Sequence, residues 1–163
     1  MVRQDDLFFR EGLRLFAEAR STLVHFQSLA EGRIRDVLMR LRDWGKFRPA
    51  STPISVKTGT YSNAIEGTWI NGVISGRDSA GNGLALVLGI SWDWPLLEPL
   101  IVYGGFSGTG SKGILPTSPD PARPRIKVTP QAQWPRLYVV PEAEPDITAD
   151  LELVIGEILR YVR

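Results

Sequence analysis

An α+β domain with a mostly antiparallel sheet between terminal helices is the fold class this sequence predicts, and three observations carry that expectation. Apolar residues recur at spacings of three and four over residues 5–44 and again over 147–162. The middle of the chain is β-branched and alternating, with turn-forming clusters between its runs. No helical segment separates those runs, so the crossover that parallel strands require is missing. The chain has 163 residues, close to the commonest size for one domain, and residues 1–163 are read as a single unit.

In the first segment Phe8, Leu15, Phe16, Ala19, Leu23, Phe26, Ala30, Ile34, Val37, Leu38, Leu41 and Trp44 carry the periodicity. Asp5 or Asp6 is placed to cap its start. An unbroken helix from Leu7 to Trp44 would be about 57 Å long, against a radius of gyration of roughly 15 Å for a domain of this size. Either the helix breaks, or it projects and packs on a partner, a second copy of the chain in a two-fold dimer included. A break or bend near Glu31-Gly32 is the expectation, because an interior Gly costs about 1 kcal/mol. Gly45 and Pro49 end the segment.

About five strands are expected within residues 53–140. Ile54–Thr58 alternates, Thr68–Ser75 and Leu84–Trp92 flank a turn-rich stretch as a hairpin, and Leu100–Tyr103, Arg125–Thr129 and Arg136–Val140 are shorter runs. Residues 104–124 hold five Gly and four Pro and read as a long loop. The last helix opens at Asp146 or Thr148 and presents Leu151, Val154, Ile155, Ile158, Leu159 and Val162 as one stripe. No heptad run is long enough for a coiled coil.

The chain has no cysteine, which excludes disulfides, thiolate zinc sites and cysteine nucleophiles. The N-terminus intersperses charges among apolar residues and has no signal-peptide core, and the longest uncharged stretch, Ser79–Trp92, is too short for a bilayer. A cytoplasmic protein without membrane contact is expected. Net charge is +1, so no global field favours nucleic acid. Locally, residues 33–48 carry net +4 and residues 142–157 net −6.

Four groups of residues bear on function. Gly108–Gly113 matches G-x-G-x-x-G, but Pro116 and Pro119 follow where a dinucleotide site needs a helix. His25 is the only histidine and cannot build a two-histidine metal site. Glu66, Asp93 and Glu98 flank strands and would converge on a divalent cation in a metal-dependent hydrolase, yet no Glu-x-Lys of the nuclease type accompanies them. Trp92-Asp93-Trp94 is the most unusual local run: its tryptophans either cap the core or anchor an interface.

The reading that combines these is a non-enzymatic binding or regulatory protein acting through contact with another protein, inhibitor- or immunity-like. Its contact residues would be Trp92, Asp93, Trp94, Lys112 and Trp134, and no cofactor or metal is expected. The alternative is a nucleic-acid-binding module using Arg33, Arg35, Arg40, Arg42, Lys46 and Arg48. A solvated, salt-bridged helix end accounts for the same arginines without a ligand.

Overall fold

The computed structural model describes residues 4–41, 43–50, 54–59, 69–92, 100–108, 111, 113–129, 135–142 and 146–162. Helix α1 (Gln4–Arg40) is followed by strands β1 (Arg48–Pro49), β2 (Ser55–Gly59), β3 (Trp69–Arg77), β4 (Gly83–Ser91), β5 (Ile101–Ser107), β6 (Lys127–Val128) and β7 (Leu137–Val139), and helix α2 (Ile147–Leu159) closes the order. The α+β class is as the sequence predicts. The strands form one antiparallel sheet in the order β1-β3-β4-β5-β7-β6, with β2 also paired to β3.

Among the described residues seven strands stand where about five were expected. The short β1, Arg48–Pro49, has no periodicity to reveal it and exists only by pairing with Gly76 and Arg77. The first four residues of the expected loop, Gly104–Ser107, belong to β5 and pair with Ala85 to Leu88. Glycines weaken strand propensity, but here they are required by close packing: a Cβ on Gly104 would lie 2.4 Å from Ile158 Cδ1.

The β3–β4 hairpin closes at Asp78, whose carboxylate accepts from the Ala80 and Asn82 amides at 2.9 and 2.8 Å and from Asn82 Nδ2 at 2.8 Å. Gly81 takes a positive φ of 85° at that turn. Alternation along β4 sends Leu84, Leu86, Leu88 and Ile90 to the helix-covered face. Val87, Ile101, Tyr103 and Tyr138 form a smaller cluster on the other face.

The principal core lies between the sheet, α2 and the C-terminal third of α1. Ala30, Ile34, Val37 and Leu38 enter it from α1, and Leu151, Val154, Ile155 and Ile158 from α2. Asp146 caps α2 by accepting from the Ala149 amide at 3.1 Å. Two arginines after β5 tie the following loop to α2: Arg123 pairs with buried Glu157, and Arg125 Nη2 lies 2.8 Å from Oδ1 of buried Asp150.

The expected break at Glu31-Gly32 does not occur, and α1 is continuous through Gly32. Gly32 is exposed, while Ala30, Ile34, Val37 and Leu38 on either side of it are buried. Their packing outweighs the glycine's cost of about 1 kcal/mol. Regular helix stops at Arg40 rather than Trp44, and the chain turns through Gly45 at φ 57°. Among the described residues no helix is long and apolar enough to cross a membrane.

Candidate protein-contact surface

Because α1 does not bend, its N-terminal part leaves the domain. Every residue from Asp6 to Thr22 is exposed, about 26 Å of helix. Local interactions hold this arm helical. Arg14 bridges Glu11 and Glu18, one turn away on either side, with Nη–Oε distances of 2.5 Å to each. These pairs hold the Glu11 carboxyl below its ordinary value and raise the Arg14 guanidinium, so both stay charged. Thr22 Oγ1 donates to the Glu18 carbonyl at 3.0 Å.

The arm's other side is apolar. Ala30, Ile34, Val37 and Leu41, spaced four, three and four, meet the core. The same spacing runs backwards through Leu23, Phe16, Leu13 and Phe9, with Arg20 the one charged member of the row. The face that the sheet covers at one end of α1 is therefore continued for about four turns with none of the described residues beneath it. On this row Phe9 is 68% exposed, Phe16 60% and Leu13 54%, while the exposed Phe8 and Leu15 lie off it, towards the polar side. Arg10, Glu11, Arg14 and Glu18 occupy the opposite side of the helix at 100° per residue.

At the base of the arm an open groove of about 490 Å³ lies between α1 and the start of α2. Phe26, Leu29, Ala30, Ile90 and Ile147 give it an apolar floor, and Arg33 stands at its rim. The Phe26 ring packs edge-on against Trp92, with centroids 5.1 Å apart and planes at 88°.

Of the contact residues expected from sequence, only Trp92 lies among those described. It is half-buried and packed against the core, with its ring against Phe26 where the arm leaves the domain. Asp93, Trp94, Lys112 and Trp134 lie outside the described residues, as do Glu66 and Glu98 of the carboxylate trio. No helix follows Gly113, and Ser111 Oγ donates to the Gly108 carbonyl at 2.7 Å. His25 is exposed on α1.

The arginine-rich segment is divided. Arg33 and Arg35 leave opposite sides of α1. Arg35 donates to Glu31 at 2.8 Å and to the Ile54 carbonyl at 3.3 Å. Arg40 reaches Glu152 at 3.3 Å, and Arg48 donates to the Gly45 carbonyl at 2.8 Å. Lys46 is exposed, and Arg42 lies outside the described residues. Among the described residues no group of three or more His, Asp or Glu could hold a metal ion.

Sequence reasoning placed Phe8, Leu15 and Phe16 in the apolar periodicity of the helix and did not single out Phe9 or Leu13. The signal was the length conflict itself, since a 57 Å helix cannot be covered by a domain of this size. Comparison with protein-family models, curated proteins and solved structures finds no match to this chain.

Proposed function

We propose that the protein is a binding protein that joins another polypeptide through the uncovered apolar face of the α1 arm. The observation that carries this reading is the row Phe9, Leu13, Phe16 and Leu23, which continues a core-forming face into solvent. Contiguous apolar patches above a few hundred Å² are uncommon on monomers and mark interaction sites. A helix with anchors spaced three and four apart suits packing into an apolar groove or against another helix. A lipid surface suits it less well: the arm's polar side carries Glu11 and Glu18 beside Arg10 and Arg14, without the cationic excess that holds interfacial helices to anionic lipid.

The contact is non-enzymatic in this reading, as the composition and motifs suggested, but its centre moves from the Trp92 region to the arm. Trp92 becomes a brace rather than an anchor.

Photocrosslinking tests the proposal. A benzoylphenylalanine placed at Phe16 is expected to trap a discrete polypeptide in cells, and one placed at Arg14 on the polar side is not. Equal labelling from both positions, or none from Phe16, would overturn it.

A further inference from the structure

We infer that the polypeptide covering the arm is a second copy of this chain, with the two α1 helices antiparallel about a two-fold axis and each tip lying at the groove at the base of the other. The inference rests on the reading of the arm as the contact element and names its partner.

Surface area is the first argument. Taking about 200 Å² for a fully exposed Phe and slightly less for Leu, residues 9, 13 and 16 of the row offer roughly 350 Å² of apolar surface per copy. Doubled, and with Leu23, the exposed Val24 and the polar flanks added, this approaches the lower end of the 1,200–2,000 Å² or so that stable interfaces bury.

Self-complementarity is the second. Phe9, Leu13, Phe16, Arg20, Leu23 and Gln27 alternate at four and three, the 3.5-residue period that lets two such helices lie side by side at about 20°. Alone the run is too short for a coiled coil, but an isologous pair uses it twice. Setting Leu13 against Leu23 of the partner copy aligns Phe16 with Arg20 of the partner copy, where a guanidinium meets an aromatic face. The one charge in the row then has a partner.

Reach is the third argument. In that register Phe9 lies beside Gln27 of the partner copy, next to Phe26 and Ala30 at the groove. From Phe9 to Phe26 the helix spans about 26 Å, so the uncovered length of one arm matches the distance from the other's tip to its groove. A parallel pair would leave both grooves empty.

The absence of cysteine makes the test clean. The full chain is expected to sediment at twice its 18.1 kDa mass at micromolar concentration. The double variant Phe9→Gln/Phe16→Gln is expected to raise the dimer dissociation constant by at least about a hundredfold, with unchanged far-ultraviolet circular dichroism. Under mild oxidation Leu13→Cys/Leu23→Cys should form an intermolecular disulfide, and Leu13→Cys alone should not. A monomer at 100 µM or so, or a dimer that persists in the Phe9→Gln/Phe16→Gln variant, would overturn the inference. A disulfide from Leu13→Cys alone would overturn the antiparallel arrangement. A monomer whose position 16 still crosslinks a different protein sinks this inference and leaves the proposed function standing.

Discussion

Beneath α2 the backbone of β5 comes so close to the helix that position 104 has room for a hydrogen and little else. A Cβ there would meet Ile158 Cδ1 at 2.4 Å, the Val87 carbonyl oxygen at 3.0 Å and Val154 Cγ1 at 3.1 Å. Gly104→Val is therefore expected to cost about 3 kcal/mol in chemical denaturation, whereas Gly83→Ala, where a Cβ meets nothing within 4 Å, should stay within about 0.5 kcal/mol. Asp150 makes a second residue-scale prediction. Burial pushes its carboxyl above the ordinary value, the Arg125 charge and hydrogen bond oppose that, and Glu142 and Asp146 add to it. A raised folded pKa stabilises the fold fully below the unfolded value of about 3.9, and that contribution is lost as pH rises through the folded pKa. Asp150→Asn removes the titration. The melting temperature of the native protein minus that of Asp150→Asn should thus fall as pH rises from about 3.5 through the mildly acidic range. A difference that rises with pH would show that Arg125 dominates Asp150 instead.

Helix α1 is two elements in one. From Phe26 to Arg40 it is a core helix, and from Asp6 to Thr22 it is a solvated arm whose regularity rests on the Arg14 bridges and on being continuous with the core part. The same substitution should read differently in the two parts. Leu38→Ala, at a side chain 1% exposed, is expected to destabilise by about 3 kcal/mol. Leu13→Ala should leave the stability of the isolated domain within about 0.5 kcal/mol and show its effect in association. Equal losses would mean that the arm is packed. At α2, Asp146→Ala removes the cap on the Ala149 amide and should cost about 1 kcal/mol in thermal unfolding.

The whole molecule balances one well-covered sheet face against one uncovered helix face. A single layer formed by α1 and α2 over an antiparallel sheet buries a continuous core, and the 37-residue α1 is longer than that layer needs. If two arms pair, part of the free energy of the native state is held between chains, and thermal stability becomes concentration-dependent. The melting temperature of the native protein should rise measurably over a hundredfold increase in concentration, and that of Phe9→Gln/Phe16→Gln should not. A native melting temperature independent of concentration would place all of the stability within one chain.

Local pattern alone determined that the chain is α+β, where α2 lies, which strands form the central hairpin, and that α1 is helical. Each of these follows from periodicity and turn chemistry within a few residues. Tertiary structure decided the rest. Strand β1 exists through pairing rather than propensity, since two residues carry no period. Gly104 and Gly105 belong to a strand because α2 and Arg136 leave no room for a side chain. Gly32 does not break α1 because buried neighbours on both sides hold it. That Trp92 packs against Phe26 is likewise visible only in the folded chain. Most of all, periodicity shows which face of a helix is apolar but not what covers it: Phe16 and Ile34 sit on the same row of α1, and only the position of the sheet makes one a core residue and the other an open contact.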